Sequence, residues 1–203
     1  MKITEEYQRY NLSQLMGDLA SSAHREEYRG QTSSATYSEI KSRLQAMHLS
    51  SGSRILDAGC GNGAFSIPIA NEFPIFVDGI DIGAELTKKA TNLACEANLS
   101  SKCQFYAGDF SDVSVYLANI FDAIICIGSL YWGHALSKIL KTWQSVTRPG
   151  SQLLLFLNME YIPLTINEKE AIGGTQFLSA LTVQHGLTRH RWALCEWSDA
   201  TNS

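Results

Sequence analysis

From Ser53 onward the chain alternates short apolar runs with stretches whose apolar residues recur every three or four positions. The short runs, bounded by turn residues, predict buried strands at 54–58, 75–80, 103–107, 121–127 and 153–157, with another at 189–196. The periodic stretches predict helices at 63–71, 84–98, 135–147 and 177–185. In the second of these helices Leu86, Ala90, Leu93, Ala94 and Ala97 fall on a packing face. Arg148-Pro149-Gly150 reads as a stop and turn after the third, and Gly186 as the cap of the fourth.

Before Ser53 the pattern is different. Residues 3–19 place Ile3, Tyr7, Leu12, Leu15, Met16 and Leu19 near one helical face, and residues 20–37 are polar and small. A second helix is expected at 36–48, with Ile40, Leu44 and Met47 as its apolar side. The front segment belongs to no strand–helix unit. It divides the chain into an N-terminal helical lid at 1–35 and a main domain at 36–203.

Strand–helix alternation on this scale predicts an α/β fold, a parallel sheet with helices on both faces. Ligands of such sheets bind beyond the carboxyl ends of the strands. Candidate chemistry is therefore sought where each strand stops. The first strand runs into Asp57-Ala58-Gly59-Cys60-Gly61-Asn62-Gly63, a glycine loop that lets the backbone approach a ligand, before a helix whose free N–H groups favour an anion. Alone, this loop fits several adenosine-type cofactors. Asp81, followed by Ile82, ends the second strand about 20 residues past the glycines, where an acid suits both ribose hydroxyls. Asp109 ends the third strand, placed to accept from an adenine amino group while Phe110 packs on the ring. Each acid could equally be a turn residue or a helix cap.

Together these residues resemble a class I S-adenosylmethionine-dependent methyltransferase of the small-molecule type, from about residue 36 to 197. Gly59, Gly61 and Gly63 match its first motif, Asp81 its ribose acid, and Asp109 with Phe110 its adenine site. The run 121–127 matches the fourth strand, whose last residues, here Ile127, usually line the cofactor. Thr147-Arg148-Pro149-Gly150-Ser151 resembles the turn into strand five, with Ser151 where a second glycine is usual. The resemblance implies a three-layer αβα Rossmann-like sheet of order 3-2-1-4-5 with a sixth strand beyond, and S-adenosyl-L-methionine as methyl donor. It also implies cofactor contacts from Asp57, Cys60 and Asn62 in the loop. The family closes its sheet with a seventh strand that this sequence lacks. Either the sequence is truncated at Ser203, or the sheet leaves an edge exposed, which favours a homodimer.

The residues after strand four narrow the chemistry. Ile127-Gly128-Ser129-Leu130-Tyr131-Trp132 carries neither the Pro-Pro motif of base-modifying relatives nor the acid of metal-dependent ones, so no metal is expected. Net charge is −4, and the basic residues are scattered, which disfavours a nucleic-acid partner. No apolar run approaches the ~18 residues of a membrane span. Five cysteines without C-x-x-C spacing fit reduced thiols in the cytoplasm. Methyl transfer is an in-line displacement in which positioning does most of the work, and a base is needed only if the acceptor must lose a proton. His134 and Glu160 are the candidate bases. Tyr131, Trp132 and Tyr161, with Tyr7, Tyr10 and Tyr28 from the lid, are candidates for the pocket of a small acceptor. Two other readings stay open: a nicotinamide-dependent oxidoreductase, which leaves Asp109 without a task, and a non-catalytic S-adenosylmethionine-binding protein.

Overall fold

The computed structural model describes residues 21–22, 25–31, 33–133, 135–157 and 178–196. The helix expected at 3–19 lies outside them. After a 3-10 turn at Arg25–Glu27 come α1 (Tyr37–Ala46), β1 (Arg54–Ala58), α2 (Ser66–Glu72), β2 (Phe76–Asp81), α3 (Ala84–Glu96) and β3 (Cys103–Ala107). Next along the chain are α4 (Val113–Tyr116), β4 (Phe121–Ile127), α5 (Leu136–Ser145), β5 (Thr147–Phe156) and α6 (Ala180–Arg189). The five strands form one parallel sheet in the order β3-β2-β1-β4-β5, the Rossmann-like order that the resemblance implies.

Alternation along each strand divides the core into two layers. Ile55, Val77, Ala123 and Ile125 face a cluster with Ile40 and Leu44 of α1 and Ile69 of α2. Leu56, Ile80, Ile124 and Cys126 face the opposite cluster, built from Val113, Ile139, Leu140, Trp143, Val183 and Leu187. Strands buried on both faces are what near-continuous apolar runs dictate. Local chemistry sets the helix ends. Thr36 and Glu39 form a reciprocal capping box at the start of α1, with Glu39 N–H donating to Thr36 Oγ1 at 3.3 Å and Thr36 N–H to Glu39 Oε2 at 2.8 Å. In α2, Pro68 has no N–H to give to Ala64, so the regular helix begins at Ser66 rather than at 63.

Three sequence expectations are corrected. Arg148-Pro149-Gly150 does not precede the fifth strand but bulges within it. The ladder jumps from Phe121↔Thr147 to Ala123↔Gln152, and Ser151 Oγ donates to the Phe121 carbonyl at 2.8 Å across the gap. Gly186 does not cap the last helix. It lies inside α6, where a Cβ would come within 2.7 Å of Leu136 Cδ2, so the glycine allows α6 to approach α5. The sixth strand is absent among the described residues. Helix α6 runs on to Arg189, and Trp192 turns back to donate its backbone N–H to the Leu187 carbonyl at 2.9 Å and to pack on the core. Residues 192–196 are left without a ladder.

An ion pair ties down the amino ends of the strands. Asp78 is fully buried, and Arg54 Nη1 donates to both of its carboxylate oxygens at 2.9 and 3.0 Å, while Asn119 Nδ2 adds a bond of 2.7 Å. Removing one partner of such a pair strands a buried charge. The Arg54→Met variant should therefore lose about 3 kcal/mol of unfolding free energy in urea titration, and Arg54→Met/Asp78→Leu should recover most of that loss.

Candidate functional site

A small cleft opens at the carboxyl rim of the sheet. Its walls are Gly59, Asp81, Ile82, Asp109, Phe110, Ser129 and Trp132. These residues come from the ends of four strands: Gly59 after β1, Asp81 and Ile82 at the end of β2, Asp109 and Phe110 after β3, and Ser129 and Trp132 after β4. All but Ser129 and Trp132 are expected cofactor residues, and Trp132 is an expected acceptor-pocket residue.

The glycine loop is clamped to the second strand. Gly59 N–H and Cys60 N–H both donate to the Ile80 carbonyl, at 2.8 and 3.2 Å. Asp81 is 1% exposed, and its carboxylate accepts from Gly61 N–H at 2.9 Å through one oxygen and from Gly83 N–H at 2.8 Å through the other. Two amides thus fix the plane of a buried carboxylate on the cleft wall. Asp109 serves as the cap of the 3-10 turn Phe110–Asp112, accepting from Ser111 N–H at 2.7 Å, and it lines the cleft as well. Capping and facing the cleft are tasks of one side chain. Phe110 is mostly buried and forms the cleft floor, with its ring 6.2 Å from that of Trp143, whose Nε1 donates to the Phe110 carbonyl at 3.2 Å.

Sequence reasoning misses Ser129. Its hydroxyl lies 3.0 Å from the Gly59 carbonyl and 3.2 Å from that of Ile127, within donating reach of each. Gly59 has φ +84°, and a Cβ there would fall 2.3 Å from Ser129 Cβ. Only glycine permits both the backbone conformation and the closeness of the two strand ends. The signal in the sequence is a small polar residue just past strand four. That it faces Gly59 follows from the parallel pairing of β1 with β4.

Other candidates sit off the cleft. Asp57 and Ile127 are buried, with Ile127 in the core layer of α1 and α2. Cys60 is buried beside Gly79, and burial together with the charges of Asp81 and Asp57 raises its thiol well above the usual range. Gly61 and Gly63 continue the loop, and Asn62 donates Nδ2–H to the Gly30 carbonyl at 3.0 Å. Tyr131 lies beside Trp132, ring centroids 5.5 Å apart. Tyr28 is half-buried in the front segment. His134, Glu160, Tyr161, Tyr7 and Tyr10 lie outside the described residues.

Residues 49–176 match the family model described as "Methyltransferase domain". Over 127 residues the chain is 30% identical to the 27-O-demethylrifamycin SV methyltransferase of Amycolatopsis mediterranei, a match covering 60% of this chain and 46% of that protein. The chain thus spans about half the length of this relative. Among solved structures, it resembles an S-adenosylmethionine-dependent methyltransferase from Geobacter sulfurreducens in complex with S-adenosylhomocysteine. The TM-score is 0.62 at 21% identity, over 88% of this chain and 70% of that one. It also resembles geranyl diphosphate methyltransferase, with a TM-score of 0.74 at 13% identity, over 94% of this chain and 81% of that one. At these identities the structural likenesses establish the fold.

Asp57 makes folding stability sensitive to pH. Burial pushes its carboxyl up to about 7, the charge of Asp81 adds to the rise, and Ser66 Oγ–H, donating at 2.5 Å, opposes it. A carboxyl raised on folding binds its proton more tightly in the native state, so its contribution to stability is complete below the unfolded value near 4 and is lost as pH rises through about 7. Each tenfold gain in proton affinity is worth about 1.4 kcal/mol, so denaturant titrations should show a stability loss of up to roughly 4 kcal/mol between those limits. Asp57→Asn should flatten that slope. An unchanged slope in the variant would contradict the assignment.

Proposed function

Because the chain belongs to the methyltransferase-domain family, we propose that it transfers a methyl group from S-adenosyl-L-methionine to a small-molecule acceptor. The observation that carries this reading is the convergence of two carboxylates, Asp81 and Asp109, with the glycine loop on one cleft built from four strand ends. The residues fit the cofactor. Asp81 is a buried acid on the cleft wall, oriented by two amides and suited to a ribose diol. Asp109 offers an acceptor for an exocyclic amine, with Phe110 as the apolar floor. The loop from Gly59 to Gly63 leaves the backbone bare where a carboxylate-bearing chain would lie.

S-adenosylmethionine, when bound, supplies an electrophilic methyl carbon on a sulfonium, already activated for displacement. The protein's part is then to hold and align. Ser129 fixes the Gly59 carbonyl, and Trp132, which lines the cleft, is assigned to the acceptor side of it. We assign Tyr131, Tyr161, Tyr7 and Tyr10 to the acceptor pocket and the segment 1–35 to a lid that would exclude water. Where the acceptor carries a proton, His134 or Glu160 removes it as the new bond forms. No metal is required.

Calorimetry should show S-adenosylhomocysteine binding that weakens in Asp81→Asn by about 10- to 100-fold, the worth of one or two hydrogen bonds to a charged group. In thermal melting S-adenosylhomocysteine should raise the midpoint and NAD should leave it unchanged. The reverse pattern would replace this reading with the oxidoreductase. Binding without S-adenosylhomocysteine formed from S-adenosylmethionine across a panel of phenols, amines and acidic carbon nucleophiles would leave a non-catalytic binding protein.

A further inference from the structure

Ahead of α1, residues 27–31 form a self-supporting turn. Gln31 is 4% exposed. Its Oε1 accepts from Arg29 N–H at 2.6 Å and its Nε2 donates to the Glu27 carbonyl at 3.1 Å. The turn is moored to α1. The Glu27 carboxylate accepts from Ser38 N–H at 2.8 Å and from Ser38 Oγ–H at 2.9 Å, and the Arg29 guanidinium lies 4.7 Å over the Tyr37 ring. From that mooring the segment crosses the rim of the sheet. Ser33 rests over Gly128 at the end of β4, where a Cβ would come within 2.9 Å of it, and Gly30 rests over the glycine loop at the end of β1.

The bond joining this strap to the loop is Asn62 Nδ2–H to the Gly30 carbonyl, 3.0 Å long. The approach is tight. Gly30 has φ +88°, and a Cβ on it would fall 2.7 Å from Asn62 Nδ2. Asn62 is absent from the cleft walls, whereas its neighbour Gly61 donates its N–H to Asp81, which lines them. A chain of contacts therefore runs from the cleft through Asp81 and Gly61 to Asn62 and on to the strap.

We propose that Asn62 is a positioning residue whose carboxamide latches the strap to the glycine loop, so that filling the cleft and seating the strap are coupled. The proposal deepens the methyltransferase reading and rests on its cofactor. A group that orders the Gly61–Asn62 backbone through Asp81 steadies the donor that Gly30 needs. By reciprocity, a seated strap tightens the cofactor's hold. Asn62 acts on the cofactor through the strap and without touching it.

Trypsin cleavage of the Arg29–Gly30 bond, followed by mass spectrometry, reads the strap directly, and calorimetry with S-adenosylhomocysteine reads the cleft. In the wild-type chain S-adenosylhomocysteine should slow this cleavage. Asn62→Ala removes the donor from the loop, and Gly30→Ala forces the strap away while leaving the loop intact. Both variants should be cut faster without ligand. Each should weaken S-adenosylhomocysteine binding by about fivefold and lose protection to match, the worth of one neutral hydrogen bond. Wild-type cleavage and affinity in both variants would overturn the latch. Weakened binding in Asn62→Ala with unchanged binding in Gly30→Ala would show that Asn62 touches the cofactor itself, and would also overturn it. A wild-type chain that binds no S-adenosylhomocysteine would instead bring down the proposed function, and the coupling with it.

Discussion

The carboxylate of Asp81 holds the site together. One oxygen accepts from Gly61 N–H and the other from Gly83 N–H, so a single side chain at the end of β2 fixes the loop after β1 and the entry to α3. The sheet makes this possible. Parallel pairing of Ala58 with Ile80 brings the two strand ends level, and the Ile80 carbonyl then accepts from Gly59 and Cys60. Backbone donors left over from a sharp turn must find acceptors when buried, and here they find an anion. The same amides orient both oxygens of the Asp81 carboxylate on the cleft wall. Fold and site thus share their hydrogen bonds.

Burying carboxyls near one glycine loop has a desolvation cost, to which the charge of Asp81 adds. Asp57, one strand away, is buried with the Ser66 hydroxyl donating to it and is pushed toward neutrality. Asp78, on the opposite face of the sheet, remains paired with Arg54 and Asn119. These three buried acids are handled in three ways: backbone amides for Asp81, a raised carboxyl with a hydroxyl donor for Asp57 and an ion pair for Asp78. Of these, only Asp81 lines the cleft, and the other two lie within the sheet.

A shared fold carries many chemistries, so assignment rests on the site. The likeness to solved methyltransferases at 13% and 21% identity establishes the sheet and its order. The family match over 49–176 includes the glycine loop, both cleft acids and the segment after β4. The front strap, moored on Tyr37 and Ser38, rests on Asn62 and Gly128 at that rim.

Much of this is legible along the chain. Central strands buried on both faces carry near-continuous apolar runs, so 54–58 and 121–127 can be placed to the residue, and the short edge run 103–107 falls where its bounding turn residues put it. An acid at a strand end announces a ligand or a cap, and Asp109 is a cap on the cleft wall. Other features depend on what lies opposite, which spacing does not encode. Gly186 looks like a helix stop until α5 is set against it, and Arg148-Pro149-Gly150 looks like a turn until β4 offers a partner for the residues on either side. The run 189–196 has the apolarity of a strand, yet Trp192 spends its backbone N–H on the end of α6. Ser129 and the Asn62–Gly30 contact join residues 70 and 32 positions apart. The sequence by itself determined the layers, most of the strands and the acids on the rim, because periodicity and strand-end chemistry are local. Only the tertiary structure decided which side chains close the cleft and which hold the strap, because those depend on how close two backbones come.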